Sequence, residues 1–150
     1  KKYFDLVNDF INEFDLKADS PKIGMSVTKN LKMPINIGQR YVICPSFTKK
    51  SIGFILPLEF QEVLNDYNQV ISKGKFYDKS GNPEALWVNF DSQILFLDDY
   101  NLIINWKKAI KKEVDRTKNS PYRKFHNPNY YEASVNSSYR SKLFEKIDAN

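Results

Sequence analysis

Cysteine occurs once, at Cys44, so no disulfide can form within the chain. A lone thiol fits a reducing compartment, and a cytoplasmic location is the expectation. Histidine also occurs once, at His126. One His and one Cys cannot provide the ligand spacing of a zinc site, so neither a metal nor another cofactor is expected. Five glycines and seven prolines are too few for a low-complexity or disordered chain. No apolar run approaches the roughly 20 residues that span a bilayer, and no leader pattern is present, so no membrane partner is expected. The glycine-rich phosphate loops G-x-x-x-x-G-K-[ST] and G-x-G-x-x-G are missing, as is the G-x-S-x-G nucleophile turn. The D/E-x-K step of metal-dependent nucleases occurs only at Asp15-Leu16-Lys17, at a helix end with no strand to display it. The chain is therefore not expected to be an enzyme by itself. It begins Lys1-Lys2 and reads as a piece of a longer protein, whose other domains would carry any activity.

What is plentiful is aromatic and basic. Eleven Phe, nine Tyr and two Trp stand in 150 residues, and apolar residues make up 41%, enough for one domain with a real core. The net charge of +5 is not spread evenly. Between Trp106 and Phe125 eight basic residues face two acids, a local +6 that leaves the remainder at −1. Positive charge confined to one aromatic-rich segment is a footprint of nucleic-acid contact.

Apolar periodicity predicts a helix over 3–14, where Tyr3, Val7, Phe10, Ile11 and Phe14 share a face and Asp5, Asp9 and Glu13 take the other. A turn at 17–22 leads to short strands at 25–28, 35–38 and 41–44. A polar turn at 48–51 and a returning run at 52–56 complete a hairpin. Phe60, Val63, Leu64, Tyr67, Val70 and Ile71 keep helical spacing and predict a central helix over 58–73, with Gly74 as its C-cap. A loop at 76–83 precedes a strand at 85–90. Residues 93–97 fit strand or helix equally. A helix is predicted over 98–114, then helices from Pro128 to Ser134 and from the Asn136 cap to about Ile147. The expected class is α+β: a small antiparallel sheet with a hairpin, flanked by an N-terminal helix, a central helix and C-terminal helices.

The candidate contacts follow from charge and shape. Lys107, Lys108, Lys111 and Lys112 cluster on one face of the 98–114 helix, where they can neutralise phosphates. The bland alternative is a solvated helix face whose lysines complement the macrodipole. Arg116, Lys118, Arg123 and Lys124 extend the basic run, and Arg40, Lys49 and Lys50 lie at the hairpin ends. Tyr122, Phe125, Tyr130, Tyr131 and Trp87 are candidates for stacking on a base. Each ring has a competing role as core. His126 fits a polar or phosphate contact better than catalysis.

Four short runs occur in order: INIGQRYV at 35–42, GFILP at 53–57, LWVNF at 86–90 and KFHNPNYYEA at 124–133. Together they resemble regions attached to McrB-like, modification-dependent restriction subunits. That resemblance implies an N-terminal DNA-recognition domain coupled to a nucleotide-hydrolysing motor. Its phosphate loop is absent here, so only the recognition part would be present. DNA binding, often to modified cytosine read by base flipping, would be the function. Motor and nuclease subunits would be partners through other domains. No individual residue is carried over from the resemblance. The alternative from the residues alone is a protein-interaction or assembly domain with a basic face.

Overall fold

Register, more than propensity, sets the architecture. The computed structural model describes residues 2–17, 23–28, 31–38, 40–61, 71–77, 83–117 and 127–148, with backbone alone at 61, 71–77, 83–84 and 146–148. Among these residues six strands form one antiparallel sheet: β1 Ile23–Met25, β2 Ile35–Ile37, β3 Arg40–Ser46, β4 Ser51–Pro57, β5 Ile71–Tyr77 and β6 Pro83–Phe90. Their order across the sheet is β1-β2-β3-β4-β6-β5. Five α-helices accompany them among the described residues: α1 Lys2–Glu13, α2 Gln93–Leu97, α3 Tyr100–Arg116, α4 Pro128–Val135 and α5 Ser137–Asp148. The chain is an α+β protein, with the N-terminal and C-terminal helices where the hydrophobic pattern puts them.

Directly paired residues in a sheet share a face, and successive residues alternate. Ile43 pairs Phe54, and Phe54 pairs Val88, so these three face one way. Ile52 pairs Phe90 on that same face. This side carries the core. The Phe54 ring stacks on Phe96 at 4.1 Å and meets Phe90 edge-on at 5.1 Å. Trp106 of α3 then meets Phe96 at 5.9 Å and Phe10 of α1 at 5.3 Å, both edge-on. Such pairs each contribute about 0.5–1.5 kcal/mol beyond their area burial. The register shift between β2 and β3 makes Val42 the extra residue of a bulge, and its carbonyl accepts the Trp106 indole N–H at 2.8 Å.

Helix ends follow side-chain chemistry. The helix expected over 98–114 is α3, which starts two residues later: α2 ends at Leu97, and Asp99 caps α3 by accepting from the Leu102 amide at 3.0 Å. Residues 93–97, which periodicity leaves open, are helical. Asn127 caps α4 by accepting from the Asn129 and Tyr130 amides, with Pro128 in the first turn.

The central helix expected over 58–73 is corrected at both ends. Leu58–Gln61 is a single 3-10 turn, residues 62–70 lie outside the described residues, and Ile71–Tyr77 is strand β5. A short apolar run can satisfy either period, and pairing along the whole of β6 decides it for strand. Gly74 is therefore not a helix cap: it pairs across from Trp87. Of the loop expected at 76–83, residues 76, 77 and 83 belong to strands, and 78–82 lie outside the described residues.

Candidate nucleic-acid interface

On α3 the apolar side is Leu102, Trp106, Ala109 and Ile110, which leaves Lys108, Lys111 and Lys112 exposed and Lys107 half-buried. Two of the four lysines meet acids. Lys107 Nζ lies 2.8 Å from Glu13 at the end of α1, and Lys112 Nζ lies 3.3 Å from Glu59. A hydrogen bond from its own backbone amide, followed by Lys112, holds the Glu59 carboxyl below its usual value. The Lys112 pair is well exposed to water and the Lys107 pair partly so, so each is weak and open to competition by a phosphate. Lys108 and Lys111 make no ion pair among the described residues.

Glu113 is not a surface acid. It is 1% exposed and receives Arg40 Nη1 at 2.5 Å on one oxygen and Arg116 Nη2 at 2.8 Å on the other. This corrects the expectation that Arg40 touches phosphate. Arg40 is 1% exposed and points from β3 into the interface with α3, where its charge is neutralised by Glu113. Arg116 is exposed but already committed to the same carboxylate. With Glu113 taken up by these arginines, the outer face of α3 carries lysine charge that this acid does not offset.

The stacking candidates divide more sharply. Tyr130 is 2% exposed, and its hydroxyl donates to the Met33 carbonyl at 2.8 Å and meets the Tyr3 hydroxyl. Burial pushes both phenols well above the usual tyrosine range. Tyr131 is also buried, donating to the Leu16 carbonyl at 2.6 Å. Neither ring can stack on a base; both tie α4 to the N-terminal part of the fold. Lys118, Tyr122, Arg123, Lys124, Phe125 and His126 lie outside the described residues.

Trp87 is the candidate that the structure places in a concavity. Register and alternation put Trp87 and Asn89 on the sheet face opposite α3. The indole lies across Gly53 of β4: a Cβ there would sit 2.5 Å from Trp87 Cζ2 and 2.6 Å from Asn89 Oδ1. Glycine is thus what lets the ring lie down on the sheet. The half-buried indole helps to line a cavity of about 460 Å³ with Asn89, Asp91, Lys32, Lys49, Ser46, Ser51, Cys44 and Phe90. Lys49 and Lys50 are exposed in the β3–β4 turn, and Lys49 alone of the two lines this cavity. Burial raises the Cys44 thiol above its ordinary value, with Lys32 opposing, so it stays protonated near neutrality.

Lys32 and Asp91 were not legible as partners of Trp87. Lys32 bridges Ser46 beside β3, and its neighbours Leu31 and Met33 line a different hollow. That second hollow, about 570 Å³, is apolar, with Phe4, Phe47, Ile94, Leu97, Leu143 and Phe144 among its walls. Ile94 is 63% exposed there. The hollow sits at the Lys2–Phe4 end of α1, whereas Lys107 reaches Glu13 at the other end, about 15 Å away at 1.5 Å per residue.

Among the described residues no helix is long and apolar enough to cross a membrane, and no group of three His, Cys, Asp or Glu side chains is placed to hold a metal ion. Fold and surfaces together define an α+β domain with a lysine-faced helix on one side of its sheet and a tryptophan-lined cavity on the other. No family model, no curated protein and no solved structure matches the chain.

Proposed function

We propose that this chain is a DNA-binding recognition module. The observation that carries the reading is the outer face of α3, where Lys108 and Lys111 stand exposed and unpaired among the described residues beside weakly paired Lys107 and Lys112. Cations grouped on one helix face can neutralise several backbone phosphates, and the affinity then comes from counterion release. Lysine supplies this attraction without reading sequence. Placement of the module within a restriction system, with motor and nuclease partners, belongs to the same proposal and rests on the sequence resemblance alone. The test is a titration of duplex DNA at about 50 and 200 mM salt. Affinity that falls steeply between the two supports the reading; absence of binding at the lower salt ends it.

A second reading, protein docking, is favoured by the apolar hollow at Ile94 and Leu31. Exposed Ile94 and Leu31 both line it, giving an apolar edge of the kind that partners cover. This edge is remote from the lysines, so a partner held there need not be acidic. A complex that survives nuclease treatment and is lost in Ile94→Asp would favour this reading over the first.

A further inference from the structure

We propose that the cavity at Trp87 binds one unpaired nucleotide of a single strand. The base would lie on the indole, the phosphate at Lys32 and Lys49. This goes beyond the DNA-binding reading, because the cavity lies on the opposite side of the sheet from the α3 lysines.

Four observations converge. The volume, about 460 Å³, falls within the range of about 300–1,000 Å³ typical of small-ligand sites. The Trp87 indole lies across Gly53 of β4, and Gly74 of β5 pairs across from Trp87. A ring held this way offers a rigid platform, and base–aromatic stacking needs no sequence match. Two exposed lysines, Lys32 from the segment before β2 and Lys49 from the β3–β4 turn, line the same cavity. Finally Asn89 and Asp91 line it, and neither side chain has a hydrogen-bond partner among the described residues.

Asp91 decides between ligands. A free phosphate or sulfate would meet its carboxylate as well as the lysines, and like charges repel. A nucleotide separates these demands. Its anionic end meets the lysines, and its base edge, which can donate hydrogen, meets Asp91. Carboxylates only accept, so a base with an exocyclic amino group satisfies Asp91 best, while the Asn89 amide can both donate and accept. In a duplex both faces of each base are covered by neighbours, so a ring inside a concavity meets a base only when the strand is open. Adenine and cytosine strands are therefore expected to bind more tightly than thymine strands.

Tryptophan emission reads the site directly. Trp106 is fully buried, so Trp87 is the indole a ligand can reach. Short single strands of dA, dC and dT, a duplex, and inorganic phosphate would each be titrated against the intact chain. Saturable quenching by dA and dC strands, weaker by dT, is expected. Trp87→Ala should lower single-strand affinity about 5- to 150-fold, the value of one stacked base. Lys32→Glu with Lys49→Glu, two exposed substitutions that the fold tolerates, should lower it and flatten its salt dependence. Silence of Trp87 towards all single strands overturns the proposal. So does quenching by phosphate alone at equal concentration, or equal affinity in a folded Lys32→Glu/Lys49→Glu variant. Duplex binding that persists while Trp87 stays silent leaves the DNA-binding reading standing and removes only this site. Quenching by single strands with no duplex binding does the reverse.

Discussion

Gly53→Ala is the substitution that most sharply tests the placement of Trp87. The added Cβ would lie 2.5 Å from Trp87 Cζ2, 3.0 Å from Trp87 Cε2 and 2.6 Å from Asn89 Oδ1. Carbon atoms prefer about 3.5–4.0 Å, so the indole must retreat by about 1 Å. The end of Asn89 can swing aside at little cost; a flat ring cannot. Overpacking of this kind costs about 1–3 kcal/mol, and alanine recovers about 0.5–1 kcal/mol over glycine inside a strand. A net loss of about 1–2 kcal/mol is expected in urea unfolding followed by far-ultraviolet circular dichroism. The cycle with Trp87→Ala isolates the cause. Without the ring, Gly53→Ala should become neutral or stabilising, leaving a coupling of at least about 1 kcal/mol. Equal cost in both backgrounds would refute the idea that the indole lies across Gly53.

Other outcomes follow from the same contacts. Glu113→Ala leaves Arg40 buried without its carboxylate and should cost about 3–5 kcal/mol, whereas exposed Lys111→Ala should change stability by less than about 0.5 kcal/mol; chemical denaturation of both variants compares them. Tyr3 and Tyr130 stay neutral in the fold beyond the pH at which free tyrosine ionises. Because the folded value lies above the unfolded one, their contribution is complete below about pH 10 and is lost as pH rises above it, by up to about 1.4 kcal/mol per unit for each ring. The thermal midpoint should therefore fall above pH 10, less steeply in Tyr130→Phe. An unchanged slope in that variant would remove Tyr130 from the explanation.

Much of the fold was legible where one period stood alone. The α1 stripe from Tyr3 to Phe14, the hairpin around the turn before Ser51, and the capped helix at Asn127-Pro128 are local patterns with local causes. The strand at 71–77 was not legible, because Val70 and Ile71 also complete a helical face. Only pairing with β6, a contact between distant segments, resolves the ambiguity. The site shows the same division. Exposure of Lys108 and Lys111 follows from helix geometry. The burial of Arg40 does not: it depends on a bulge in β3 and on Glu113 lying 73 residues further on. Tyr130 and Tyr131 look like recognition rings in sequence because they sit near Arg123 and Lys124. The fold spends them on the hydroxyl contacts to Tyr3, Met33 and Leu16. The grouping of Trp87 with Lys32 and Asp91 comes from strand register and from a bridge at Lys32, neither of which composition reveals.

Whether α3 is the surface that meets DNA is decided by Lys108→Glu with Lys111→Glu, titrated with the same duplex across a salt series. Both residues are exposed and neither supports the core, so the variant should fold as the parent does. Weaker binding on every sequence, with the slope of log affinity against log salt shallower by about 2, is the expected result for two lost phosphate contacts. A folded variant with unchanged affinity and unchanged slope would contradict the assignment of α3 as the DNA-binding face.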